Sequence, residues 1–139
     1  MDNGTISKLA VISVVFALFA AGAVFNSVMD VLQFRYSRSV FADSADERFF
    51  NPKVSWRNKW EDGDPAKGEA YPGSSTVFVL FTDAWHLAQF LMFTCFELAV
   101  VFLLYKLYKL KWYWLLLVFL AMKLVFGLVF ELFFAYVLV

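Results

Sequence analysis

The chain has 139 residues, 62% of them apolar and 21% aromatic, with a mean hydropathy of +0.67. Ordinary soluble domains are about 45–50% apolar and about 25% charged, against 17% charged here, so lipid is needed to cover part of this apolar surface. Twelve basic residues balance twelve acidic ones, which leaves no electrostatic footprint for nucleic acid, and the single cysteine, Cys95, excludes disulfides, zinc–cysteine centres and iron–sulfur clusters within one chain.

The expected class is an all-α integral membrane protein with three transmembrane helices and a folded, aromatic-rich polar loop between helices 1 and 2. The first helix is expected at about 9–34. Its apolar run is too long for the 7–15-residue core of a signal peptide, and about 26 residues at 1.5 Å each give about 39 Å, enough for a tilted crossing. Ser13, Ala17 and Ala21 recur every fourth residue, the spacing that lets membrane helices approach closely.

Residues 35–75 form a polar cap loop with seven basic and seven acidic residues. Its Asn51-Pro52, Asp62-Gly63-Asp64-Pro65 and Tyr71-Pro72-Gly73 clusters are turn signals. Phe49, Phe50, Trp56, Trp60 and Tyr71 are too many aromatics for a disordered segment, so the loop is expected to fold and to lie against the membrane surface. Trp56 and Trp60, one helical turn apart, are read as interfacial anchors.

Helix 2 is expected at about 76–105 and helix 3 at about 112–139, separated by Lys106, Lys109 and Lys111. Trp112 and Trp114, just past those lysines, are the anchors at that end. Three crossings put the 35–75 loop and the lysine turn on opposite sides. Counting basic residues over short loops favours a cytoplasmic loop, whereas the density of lysine in the turn argues the reverse. The expected location is the cytoplasmic membrane of a bacterium.

The lysine turn serves as a ruler for depth. Glu97 lies eight residues before Tyr105 and Lys123 eleven after Trp112, about 12 and 16 Å in, which predicts a mid-membrane ion pair. His86 and Glu131 each lie nineteen residues from the turn, at about 28 Å, and Asp30 near the end of helix 1 belongs to the same level, with Asp83 one turn beyond. Asp83, His86, Thr94 and Glu97 fall within an arc of about 80° on a helix. Asn26, Asp30 and Gln33 share a face of helix 1, and Lys123, Gly127 and Glu131 one of helix 3. Turning these stripes inward avoids the cost of about 2.5–3.5 kcal/mol for each charge facing lipid at mid-membrane.

Two layers follow: the Glu97–Lys123 pair, and a cap-side polar cluster of Asp83, His86, Glu131 and Asp30. The cluster has the chemistry to relay protons, to form a satisfied hydrogen-bond network, or, as the minor option, to hold a divalent metal on Asp83, His86 and Glu131. No other cofactor is expected. Nucleotide-binding glycine motifs, a serine-hydrolase elbow and a zinc-protease motif are absent from the sequence.

Three functions remain open on the sequence. One is an oligomeric membrane protein whose polar seam conducts or relays protons or small ions. Another is a non-catalytic accessory or scaffolding subunit of a membrane complex. The last is a membrane enzyme with a His/carboxylate site under the cap. Three helices enclose little interior, so burying the ionisable groups calls for a homo-oligomer or other membrane subunits as partners besides the lipid bilayer.

Overall fold

A computed structural model of the chain describes residues 3–43 and 46–133. Among these residues the regular structure is helical, apart from one isolated antiparallel bridge between Trp60 and Glu69. Three segments are long and apolar enough to cross a membrane: Lys8–Arg38, Ala84–Tyr108 and Trp112–Phe130. They suggest a membrane location. In hydrocarbon every backbone N–H and C=O has to be satisfied within the segment, and a helix does so.

Helix α1 runs Asn3–Arg35, α4 runs Ala84–Tyr108 and α5 runs Trp112–Leu132. Between α1 and α4 lie two single-turn helices, α2 (Glu47–Phe50) and α3 (Pro52–Ser55), and a series of 3₁₀ turns. The last residues expected in helix 3, 134–139, lie outside the described residues.

Helix α4 begins eight residues later than the apolar pattern predicts. From Thr76 to Thr82 the chain makes turns closed by Val79 N–H to Thr76 O (3.4 Å), Phe81 N–H to Phe78 O (3.1 Å) and Thr82 N–H to Val79 O (3.0 Å). Asp83 then starts the helix: its Oδ1 accepts from the His86 backbone N–H at 2.9 Å, and its carbonyl accepts from Leu87 N–H at 3.1 Å. A side-chain oxygen three residues ahead of the N–H it satisfies is the signature of an N-cap. Asp83 therefore lies at the helix end and not about two turns inside an apolar helix that begins at 76. At the other end Lys109, with φ of 50°, closes α4 through its N–H to Tyr105 O at 2.9 Å, a left-handed terminus of the kind glycine usually supplies.

The chain divides into two compact units. One contains α1 up to Phe19, α4 from Cys95 onward, and α5. Ala99 and Glu97 are buried within it, and the Phe19 and Phe96 rings lie 5.1 Å apart. The other contains Ala20–Thr94, which is the rest of α1, the cap and the start of α4. Met29, Leu32, Ala84 and Ala88 are its buried apolar residues.

The cap is built mainly from polar local bonds. Asp46 caps α2 by accepting from Phe49 N–H at 3.1 Å, Asn51 caps α3 by accepting from Lys53 N–H at 3.0 Å, and Pro52 occupies the first turn of α3, where its missing N–H costs nothing. Beyond Trp60 the chain makes an excursion that returns through Glu61 N–H to Gly68 O (3.0 Å) and Ala70 N–H to Lys59 O (2.9 Å). Phe41, Phe49 and Phe50 form its aromatic cluster, with centroids 5.3 and 5.4 Å apart.

Candidate functional site

The start of α4 and the cap meet at His86. Its Nδ1 lies 2.8 Å from both carboxylate oxygens of Asp83, and its Nε2 lies 3.3 Å from Lys59 Nζ. Asp83 accepts, so Nδ1 carries the proton; Nε2 is then the lone-pair side, turned to the ammonium that donates to it. These roles are assigned from the contacts. The array is an orienting carboxylate, an imidazole held in one tautomer, and a cation at the free nitrogen.

Each member is held in place. Asp83 is buried and also accepts from the Thr82 hydroxyl at 3.2 Å. Burial pushes its carboxyl upward, but hydrogen bonds from the His86 ring and backbone, together with the charges of His86 and Lys59, outweigh that and hold it below the ordinary carboxylate range. The Trp85 ring stands edge-on to the imidazole, with centroids 5.0 Å apart.

Lys59 comes from the Trp56–Lys59 turn. Its carbonyl accepts from the buried Ser74 hydroxyl at 2.7 Å and from Ala70 N–H, which fixes the backbone that carries the ammonium. Next to it, the Asn58 amide donates to Arg48 O at 2.9 Å and to Thr82 O at 2.7 Å. Two short sequences, Asn58-Lys59 and Thr82-Asp83-Ala84-Trp85-His86, thus meet side chain to backbone and side chain to side chain.

Lys59 and Asn58 were not among the residues that the sequence pattern singles out. A lysine among seven basic residues of a balanced loop gives no signal of its own. The only hint was the run of two tryptophans flanking Arg57-Asn58-Lys59, which marks a folded turn without showing which side chain points at α4.

The other expected members stand as follows. Asp30 is exposed on α1 and lines an open groove of about 500 Å³ with Ser27, Val31, Phe34 and Arg35. Asn26 and Gln33 are exposed as well. Glu131 lies in α5, but its side chain is outside the described residues. Among the described residues no three His, Cys, Asp or Glu side chains converge as metal ligands, and an ion on His86 Nε2 would have to replace the Lys59 ammonium.

Glu97 and Lys123 come together across α4 and α5, with Oε2 and Nζ 2.8 Å apart. Glu97 is 7% exposed. Oε2 has no hydrogen bond of acceptable angle, so the contact is an ion pair by distance that approaches off the hydrogen-bonding directions. Lys123 Nζ also lies 5.5 Å from the centre of the Phe119 ring, a cation–π distance. Of the anchors, Trp56, Trp112 and Trp114 are exposed and Trp60 is half-buried.

Comparison of the chain with protein-family models, with curated proteins and with solved structures returned no match.

Proposed function

We propose that the chain is an integral membrane protein in which the Asp83–His86–Lys59 array exchanges protons at the cap side of the membrane. The supporting observation is the two-ended engagement of His86, with Asp83 on Nδ1 and Lys59 facing Nε2. A proton leaving Lys59 Nζ for Nε2 converts the neutral imidazole to imidazolium beside the Asp83 carboxylate, and leaves a neutral amine that is reprotonated from cap-side water. Asp83 holds the tautomer that turns the Nε2 lone pair towards Lys59.

Association with a second copy or another membrane subunit belongs to the same proposal. Asn26, Asp30 and Gln33 are exposed within the apolar Lys8–Arg38 segment, and polar groups left to face lipid are costly enough to favour a partner.

The test is proton flux into vesicles containing the purified protein, driven by an imposed pH gradient. Flux above that of empty vesicles is expected, with a loss of tenfold or more in His86→Gln protein that still assembles as the parent does. Equal rates for parent, variant and empty vesicles would overturn proton exchange.

The accessory-subunit alternative draws on a different observation, the Asn58 amide bonds to Arg48 O and Thr82 O. They make the same region a clasp between cap and helix. If that is its whole role, His86→Gln and Asn58→Leu weaken assembly in protein that carries no flux.

A further inference from the structure

Between Glu69 and Asp83 the chain carries no charged residue, and the stretch Thr76–Phe81 presents apolar side chains outward. Val77 is 74% exposed, Phe81 65% and Phe78 48%. This is a shaped element. The Phe78 and Phe81 rings lie 6.4 Å apart at an interplanar angle of 28°. Gly73, with φ of +80°, lets the Phe78 ring close over it: a Cβ at that position would stand 3.0 Å from the ring. The Tyr71 hydroxyl donates to Phe78 O at 3.3 Å.

The base of the element is bracketed by Glu69, which accepts from Gly73 N–H at 2.8 Å, from Ser75 N–H at 3.1 Å and from the Ser75 hydroxyl. These hydrogen bonds hold the Glu69 carboxyl below its ordinary value. A fixed turn therefore carries exposed aromatic and branched apolar groups, with Glu69 tied up at its root and Asp83, past its far end, buried.

We infer that Thr76–Phe81 is a prong that inserts into the interfacial layer of the bilayer beside the start of α4, with Val77 and Phe81 as its lipid contacts. Three observations select lipid as the occupant. Phe81 stands three residues before Ala84, where the membrane-crossing segment begins, so the chain holds it within about 10 Å of that end. The uncharged rim offers nothing for a protein partner to pair with electrostatically. The backbone N–H groups of Thr76, Phe78, Val79, Phe81 and Thr82 donate within the turns, which lowers the cost of placing this non-helical stretch in the interfacial layer. The prong rests on the membrane placement proposed above and not on proton exchange.

Spin labels on the full chain in vesicles test this, using a Cys95→Ala background with one new cysteine at a time: Val77→Cys, Phe81→Cys, Lys67→Cys on the exposed cap, and Leu116→Cys on the exposed side of α5. Collision with dissolved oxygen reports lipid, and collision with a water-soluble nickel chelate reports solvent. Labels at 77, 81 and 116 are expected to collide several-fold more with oxygen, and the label at 67 with nickel. Nickel-dominated labels at 77 and 81 beside an oxygen-dominated label at 116 would overturn the prong while leaving the membrane placement intact. A nickel-dominated label at 116 would overturn both. Protection of 77 and 81 from both reagents would show a protein surface in place of lipid.

Discussion

Replacing Lys123 with Met keeps the length of the side chain and removes its charge, leaving the Glu97 carboxylate in place with the atom that faced it gone. At 2.8 Å and an effective dielectric of about 20, the lost attraction is about 6 kcal/mol. Desolvation of the two ions offsets most of that in the intact pair, several kcal/mol for each, so the pair itself stands near balance. The single variant does not, because Glu97 is 7% exposed and keeps its desolvation cost. Breaking such a pair from one side costs about 3–5 kcal/mol. The double variant Glu97→Leu/Lys123→Met removes both costs and is expected within about 1 kcal/mol of the parent, since replacing a buried pair by apolar groups is often neutral or better. Unfolding by SDS titrated into mild-detergent micelles, followed by tryptophan fluorescence, gives the three differences and the coupling between the sites. A Lys123→Met cost below about 1 kcal/mol, or a double variant as unstable as the sum of the singles, would refute a buried pair that matters to helix packing.

Two further outcomes concern the cap. Asp83→Asn retains an N-cap acceptor but removes the carboxylate beside His86; because the folded carboxyl is held below its ordinary value, its contribution is fully present above about pH 3.9 and is lost as pH falls through the lower folded value. The stability difference between parent and Asp83→Asn, read by denaturation at a series of pH values below about 5, should therefore shrink once the pH falls below about 4; a difference that keeps growing below about pH 4 contradicts the assignment. Asn58→Ala removes the donor to Arg48 O, an exposed bond, and to Thr82 O, a part-buried one, at about 0.5–1.5 kcal/mol for each bond, and should speed amide exchange in residues 47–59 while leaving α5 unchanged. Equal acceleration in α5 would mean that the cap and that helix open together.

The three apolar helices were legible because a helix long and apolar enough to cross a membrane is a long uninterrupted apolar run, and such runs survive any detail of packing. Glu97 and Lys123 lie eight and eleven residues from the lysine turn, a spacing that puts them at similar levels on antiparallel helices, and their Oε2 and Nζ are 2.8 Å apart. The start of α4 was missed for a physical reason. Hydrophobicity continues unbroken from Val77 through Phe81, and periodicity does not distinguish a helical turn from 3₁₀ turns exposed at an interface. The decisive signal was local: Thr82-Asp83 followed by a helix former, with the Asp83 side chain satisfying the third N–H beyond it. Read as an intramembrane charge, Asp83 pointed to function; as a cap it also terminates the turn and aims the imidazole. The Lys59 contact was not legible at all, since it depends on how the twenty-six intervening residues fold back.

The two sets of ionisable groups face different constraints, and this separates their roles. Glu97 is buried and faces Lys123 at 2.8 Å, so the carboxylate cannot trade that partner for water without being uncovered, and the pairing favours permanence. Lys59 is on a loop, and only one of the three donors of an ammonium is engaged by His86. Its backbone is pinned by Ser74 and Ala70, while its side chain holds several rotatable bonds. Asp83 does two jobs with one carboxylate, capping the helix through His86 N–H and fixing the ring through Nδ1, so the imidazole cannot turn without disturbing the helix start. A fixed imidazole beside an adjustable cation is suited to proton exchange, because the acceptor geometry is set in advance and only the donor has to move. The same Ser74 that pins the Lys59 carbonyl lies between Gly73 and Ser75, the two residues that Glu69 brackets at the root of the prong. The Val79–Phe81 turn thus connects to the acid–base array at both ends, through Ser74 to the carbonyl of Lys59 and through Thr82, whose carbonyl accepts from Asn58, to Asp83.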